Sequence, residues 1–471
     1  MSRSYQKLPR RVKSDRLLEG SWLKVLCQIL LALIIVVSFE SFNPILIGSL
    51  HSDNFQGGDF RQQAAAAVLW TLLMAVSFVP GVIREPLRTS GLQWPALFVA
   101  WAVTSAMWSV DPASALPKAT VLFASTVATW RLASMITVRE MFACLHYTLS
   151  ALMVASLALV FLVPSIGVVQ HEWLHVGNWS GVFASKQGLG MGSAVALGVA
   201  LLRVTRKSWF DMAMCGVAFS CLYGSASRGG GIIAGVAVVC LVLGRGYPRM
   251  LALLVSAILV LDLTVALGNI AYFTITGAPS YEFFGQTVDF TERTFIWQYA
   301  LDLLSQRPLF GFGLNGFWTD MGTFYGYQKL HGWVLDNYHN GYIAVIVETG
   351  AVGLLLFLAA SLKLIARLRW LIVNATDNRT SLEMSVAYVL MFFTLNLSEG
   401  LLLRSTNFLS VLFAFIVIKT VSVPSARPIG QLYQAHAWRM SRSPTRRVAL
   451  SPARAGRDGG AEAAGAHLRA R

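Results

Sequence analysis

Residues 171–175 read HEWLH. On a helix, His171 and His175 would share one face and could grip a zinc ion, with Glu172 as general base; that is peptidase chemistry. A second set of residues implies different chemistry. Arg228 lies in GSASRGGG, Arg293 in DFTERTFIW, Lys186 in GVFASKQGLG, and Glu399 and Arg404 flank a turn in NLSEGLLLRST. His339 opens HNGYIAVIVETGAVG, and its ring titrates near neutrality, so it can accept a proton from a hydroxyl. Arginines at helix starts make good phosphate sites. Cations around one histidine suit an anionic, membrane-anchored ligand such as a lipid diphosphate.

These residues must be held by membrane helices. The 471-residue chain is 55% hydrophobic and 13% charged, with a mean hydropathy of +0.58. Apolar runs of about 17 to 25 residues recur along it, as spanning a bilayer requires. Hydropathy and length predict about twelve spans, over 22–39, 63–83, 93–109, 115–134, 141–163, 187–203, 208–224, 229–246, 249–267, 341–363, 383–401 and 405–422. The first run lacks a small-residue cleavage site and reads as a span rather than a signal peptide. Cys27, Cys144, Cys215, Cys221 and Cys240 all fall in apolar runs and read as small packing residues.

Lys and Arg set the orientation. The N-terminal segment carries Arg3, Lys7, Arg10, Arg11, Lys13 and Arg16, and every second loop after it is basic, from Arg84 and Arg88 to Lys363, Arg367 and Arg369. Both termini are therefore expected in the cytoplasm, and the net charge of +15 reads as a topology signal rather than a nucleic-acid footprint. Basic residues expected outside oppose that signal: Arg61, Lys118, Lys186, Arg228, Arg293, Arg307, Lys329 and Arg404. The layout is a basic N-terminus (1–21), nine spans (22–267), a large outer loop (268–340), three spans (341–423) and an Ala-, Arg- and Ser-rich tail (424–471) that reads as disordered and cytoplasmic.

The outer loop contains DFTERTFIWQYALDLLSQ, residues 289–306. Asp289 and Glu292 resemble a capping box, and Phe295, Ile296, Tyr299, Ala300, Leu303 and Leu304 form an apolar face, which predicts a short amphipathic helix on the membrane surface. It should end near RPLFGFGLNGF, residues 307–317. Gly350 and Gly353, further down the span that His339 opens, would permit close helix packing.

Several stretches together resemble the O-antigen ligase and polysaccharide polymerase superfamily of bacterial inner membranes, most closely its exopolysaccharide polymerase branch. His339-Asn340 followed by Gly350 and Gly353 is similar to that family's signature after a large periplasmic loop. MWSVDP (107–112), SRGG (227–230), RTFIW (293–297) and SKQGLG (185–190) match its other short motifs in order. Glu292 and Gln187 stand where the family often has Gly and Asn. The resemblance covers about residues 20 to 423.

The resemblance implies an all-α polytopic membrane protein of GT-C-like fold, with short amphipathic helices in its periplasmic loop. It implies a metal-independent, inverting glycosyl transfer without a cofactor, at the periplasmic face of the bacterial inner membrane. The donor would be an undecaprenyl-diphosphate-linked glycan and the acceptor a lipid-linked repeat unit or lipid A core, with other polysaccharide export proteins as partners. Arg228 and Arg293 would neutralise the diphosphate leaving group and His339 would deprotonate the acceptor. Lys186, Glu399, Arg404 and Asn340 would bind substrate. No Asp-x-Asp pair occurs to carry a metal. Polymerase is preferred over ligase, whose acceptor would be lipid A core or a protein. Two other classes remain. A lipid-linked sugar transporter fits the spans, but no hydropathy repeat is evident. A zinc peptidase at His171, Glu172 and His175 suffers from Pro164, Gly167 and Gly177, which leave any helix short, and from having only Asp262 as a distant third ligand.

Overall fold

Long apolar segments fold as helices because nothing but their own backbone can satisfy their N–H and C=O groups. The computed structural model describes residues 10–39, 41–42, 60–79, 91–170, 176–204, 208–247, 250–251, 253–258, 260–261, 264, 275–276, 280–283, 286–289, 293–332, 337–374, 379–397, 399–404 and 407–422. The chain divides into two units, Met1–Val423 and Pro424–Arg471, of which the second lies outside the described residues. The first is built from α1 (Arg10–Ser38), α2 (Phe60–Ser77), α3 (Gln93–Thr104), α4 (Pro112–Met135), α5 (Val138–Leu162), α6 (Lys186–Arg203), α7 (Trp209–Ser225) and α8 (Arg228–Gly246). There follow a two-stranded antiparallel ribbon, β1 (Ser280–Phe283) and β2 (Gln286–Asp289), then α9 (Arg293–Leu304), α10 (Met321–His331), α11 (Gly341–Asn374), α12 (Arg379–Leu395) and α13 (Phe408–Ser422).

Helices thus stand where the apolar runs predict them. Two of them, Val138–Leu162 and Gly341–Asn374, are long and apolar enough to cross a membrane. The expected span 249–267 is described only in pieces, and HEWLH and Asp262 lie outside the described residues. The starts are chemically marked. Asp111 caps α4 ahead of Pro112, Thr137 and Glu140 form a capping box on α5, and Ser185, Ser208 and Ser227 cap α6, α7 and α8. All five cysteines are unpaired and sit in helices. α6 and α8 run parallel and close: a Cβ on Gly190 would fall 2.2 Å from Ser227 Cβ, and one on Gly198 3.0 Å from Ala237 Cβ. Lys24 pairs with Glu140 to join α1 to α5. Asp211 joins three helices, with His146 Nε2 at 2.9 Å and Arg203 Nε at 3.2 Å.

Two expectations are corrected. Asp289 ends β2, its backbone paired with Ser280, so a small ribbon interrupts the all-α pattern; Glu292, the other half of the expected capping box, lies outside the described residues, and the described helix runs Arg293–Leu304. That helix, α9, does not lie with its apolar face on a membrane. It buries Thr294, Ile296, Trp297, Ala300 and Leu304 in a cluster with Phe312, Phe317, Trp318, Tyr327, Tyr338 and Val347. Within that cluster the Trp297 ring N–H donates to Tyr338 O at 2.9 Å, which ties the helix to the residue before His339.

The third correction concerns α11, which is broken at Gly350 (φ +68°, ψ −171°), a conformation essentially restricted to glycine. In an unbroken helix Ala351 and Val352 would donate to Val347 and Glu348. Instead they donate to Pro308 O (2.9 Å) and Leu309 O (3.3 Å), while Val347 O and Glu348 O accept from Phe312 N–H and Gly313 N–H, both at 2.9 Å. Thr349 O accepts from the ring N–H of Trp101 at 3.0 Å. The 307–317 segment is therefore inserted into the break, and every orphaned group named here has a partner. The two backbones touch: a Cβ on Gly350 would sit 2.2 Å from Leu309 O, and one on Gly311 2.6 Å from Val347 O. Gly353 does serve close packing as expected, with Trp101 Cδ1 3.2 Å from its would-be Cβ.

Gly350→Ala is accordingly expected to destabilise the protein by on the order of 3 kcal/mol or more, from forced backbone strain plus overlap with Leu309 O. Gly216→Ala in α7, where a Cβ meets nothing within 4 Å, is expected to be neutral or stabilising. Melting of the detergent-solubilised protein, followed by size exclusion, compares the two. Equal midpoints would contradict the account of the break.

Candidate active site

Around His339 two loops are stitched together by buried asparagines. Asn340 is fully buried, and its Oδ1 caps α11 by accepting from Tyr342 N–H (2.9 Å) and Ile343 N–H (3.1 Å); its Nδ2 donates to Leu397 O at 3.4 Å. Asn396, equally buried at the end of α12, accepts on Oδ1 from Leu401 N–H (3.1 Å) and Leu402 N–H (3.0 Å). Its carbonyl accepts from Gly341 N–H at 2.8 Å. Gly341 has no room for a side chain, because a Cβ would lie 2.0 Å from Asn396 Oδ1, and a Cβ on Gly400 would lie 2.7 Å from Asn337 Oδ1 and displace that amide.

This stitching holds His339 in a left-handed backbone conformation, φ +48°. For a non-glycine residue that costs roughly 1–2 kcal/mol, and such outliers persist where the surroundings over-determine them. His339 N–H donates to Asn337 Oδ1 at 3.2 Å, and the preceding carbonyl is pinned by Trp297. The ring is thereby presented at the mouth of α11, one-third exposed.

Three charged groups surround that ring. Glu399 Oε2 lies 4.0 Å from His339 Nδ1, and Glu399 Oε1 lies 3.8 Å from Arg293 Nη2, at the start of α9. Arg404, exposed on the α12–α13 connection, also acts on the ring. Burial, helped by the positive charges of Arg293 and Arg404, pulls the His339 pKa down to about 4, so the ring is neutral at pH 7. Burial pushes the Glu399 carboxyl up, and Arg293 opposes that shift. Behind the ring, Tyr338 is buried, and burial first, then Glu348, drives its hydroxyl well above the ordinary value. Glu348 Oε2 accepts from Asn315 N–H at 3.1 Å, and Asn315 Oδ1 accepts from Lys118 Nζ at 2.6 Å.

Of the residues expected from sequence, the structure gathers His339, Arg293, Glu399 and Arg404 at one place. Arg228 and Lys186 form a second group: they open the parallel helices α8 and α6, Arg228 exposed and Lys186 half-buried. Asn340 caps a helix, where its expected role was substrate contact. Glu348, Asn315 and Trp297 were missed. Glu348 had a readable signal, as a lone carboxylate in an apolar span. WSVDP had none for what it does: Trp108 Nε1–H donates to Phe310 O at 3.1 Å, Val110 N–H to Phe312 O at 3.2 Å, and Asp111 caps α4, so the stretch cradles the inserted loop.

His339 should titrate far below an ordinary histidine. Its folded pKa lies below the unfolded value, so the unfolded chain takes the proton first and stability falls as pH drops from about 6.5 toward about 4. Carbethoxylation of His339, read by mass spectrometry, is expected to stay maximal down to at least pH 6 and to show a higher midpoint in Arg293→Gln. A wild-type midpoint near 6.5 would contradict this electrostatic picture.

Comparison with known proteins bears on this site. Residues 213–358 match the family model described as O-Antigen ligase. That segment contains Arg228, Arg293, His339, Gly350 and Gly353; Lys186, Glu399 and Arg404 fall outside it. The chain is also similar to the Exopolysaccharide production protein ExoQ of Rhizobium meliloti (strain 1021), with 25% identity over 279 residues, covering 56% of this chain and 62% of that protein. The chain thus spans about three-fifths of the length of the curated relative it matches. The motif order of the sequence and the position of His339 inside the matched segment agree with these matches, which support a likeness to the O-antigen ligase and polysaccharide polymerase superfamily.

Proposed function

We propose that the protein is a glycosyltransferase that polymerises a surface polysaccharide from lipid-diphosphate-linked repeat units, with undecaprenyl diphosphate as the carrier. The observation that carries the reading is the convergence of Arg293, Arg404 and Glu399 on a neutral, strained His339. In the proposed reaction the acceptor hydroxyl oxygen attacks the anomeric carbon in line, with inversion. Its proton passes to His339, and the bond from the anomeric carbon to the diphosphate oxygen breaks with its electron pair leaving on the diphosphate. Arg293 and Arg404 receive the charge that builds there, with Arg228 and Lys186 on the neighbouring helix ends guiding the donor. This scheme needs no metal ion. The reading includes a GT-C-like membrane body of about twelve spans, both termini cytoplasmic, the His339 face periplasmic, and loop and tail boundaries as the sequence predicts. Export proteins would be its partners.

A ligase uses the same donor chemistry and differs in acceptor. The family description favours it, whereas the similarity to an exopolysaccharide production protein favours the polymerase.

The test is complementation of a deletion strain with wild type, His339→Ala or Arg293→Ala, with lipid-linked and surface glycans resolved by gel and mass spectrometry. Loss of long polymer and accumulation of single lipid-linked units is expected in the deletion and in both variants, with at least a ~100-fold drop in polymer for His339→Ala. Long chains stranded on the lipid carrier would identify a ligase. Full rescue by His339→Ala would remove the catalytic assignment and favour a transporter.

A further inference from the structure

Glu399 sits between the two groups that the proposed reaction needs to act together. One carboxylate oxygen is 3.8 Å from Arg293 Nη2 and the other 4.0 Å from His339 Nδ1. Neither gap is a hydrogen bond, and His339 Nδ1 has no hydrogen-bond partner among the described residues. The backbone of Glu399 is held: its N–H donates to Leu395 O at 2.8 Å, and Gly400 packs against Asn337 in the His339 loop. A small side-chain rotation therefore brings Glu399 to either neighbour while its backbone stays fixed.

Building on the glycosyltransferase reading, we infer that Glu399 is a positioning residue that links donor binding to the basicity of His339. In the empty site Glu399 is shared between Arg293 and the ring. When a diphosphate takes up the guanidinium of Arg293, the carboxylate turns to His339 Nδ1–H. This fixes the tautomer whose Nε2 lone pair faces the acceptor. The proton then moves from the acceptor hydroxyl to Nε2, Nδ1–H stays on the ring, and Glu399 remains a carboxylate that balances the imidazolium. The glycosidic bond forms as the diphosphate leaves with its electron pair, so no further reactant is required. The charged groups facing His339 are Arg293 from α9 and Glu399 and Arg404 from the α12–α13 connection. A bound diphosphate offsets the two cations, and Glu399 supplies the only carboxylate among these three groups. An unloaded enzyme thus keeps a weak base, which guards the activated sugar chemistry until the donor is seated.

The test uses the full-length protein in lipid nanodiscs, with inorganic pyrophosphate as the anionic probe. The midpoint of His339 carbethoxylation is measured against pH, with and without pyrophosphate, in wild type, Glu399→Gln and Glu399→Asp. Pyrophosphate is expected to raise the wild-type midpoint by about one pH unit or more, and by less than half as much in Glu399→Gln. In membranes supplied with the cell's own lipid-linked donor, Glu399→Gln is expected to lower polymer turnover at least tenfold while the half-saturating donor level changes less than twofold, and Glu399→Asp to restore part of the rate. Equal midpoint shifts in wild type and Glu399→Gln would overturn the inference, as would a loss of donor affinity at unchanged turnover. If Glu399→Gln does not fold, the pH midpoint of Glu399→Asp decides: a wild-type response to pyrophosphate overturns the inference and a weakened one supports it. Normal activity in His339→Gln would instead sink the glycosyltransferase site itself.

Discussion

The structure turns on an exchange of backbone hydrogen bonds at Gly350. A helix that crosses a membrane cannot leave carbonyls or amides unpaired, since each costs several kcal/mol in hydrocarbon (roughly 2–7). α11 is nevertheless broken there, and the 308–313 strand of loop supplies what the helix has lost. Two amides of the helix donate to Pro308 and Leu309, and two of its carbonyls accept from Phe312 and Gly313. The break and the loop therefore specify each other. Neither is stable alone, and both need a glycine where the backbones meet.

This exchange reaches the site through rigid neighbours. The inserted loop lies on Ser105, Trp108, Ser109 and Val110, so α3 and α4 are fixed against α11. Its aromatic side chains Phe312 and Phe317 form the floor on which α9 rests. α9 carries Arg293 at its first residue, and its Trp297 ties down the carbonyl just ahead of His339. The distance from Arg293 to His339 is thus set by a packed cluster rather than by a flexible loop. The catalytic role proposed for these groups would require them to be held to about half an ångström, and the break in α11 provides the anchorage.

The sequence made some of this legible and hid the rest for definable reasons. Hydropathy located the helices because the bilayer punishes any other fold. Arg293 and Arg404 stood out as cations on a face where the topology signal disfavours them, and His339 as a titratable ring at the outer mouth of a span. The role of Gly350 was not legible, because a small residue in an apolar helix serves tight packing far more often than a break, and only the position of a segment some forty residues earlier distinguishes the two. Asp289 and Glu292 mimic a capping box, yet Asp289 is committed to a strand pairing with Ser280. The resemblance implied a substrate contact for Asn340, but the first turn of α11 has amides that claim its side chain.

Electrostatics gives these features a common direction. Near His339 the described groups include two guanidiniums and one carboxylate, with Lys118 and Glu348 held deeper by Asn315. Arg404 reaches solvent and Glu399 lies 3.8 Å from Arg293, which moderates that imbalance. Burial first, and then this positive excess, destabilises a protonated ring and keeps His339 neutral. An anion brought into this site would relieve the excess and raise the basicity of the histidine in the same step. In the proposed reaction the positive excess that weakens the base in the empty site would let a bound anion strengthen it, and the buried asparagines hold the backbone from which the ring projects.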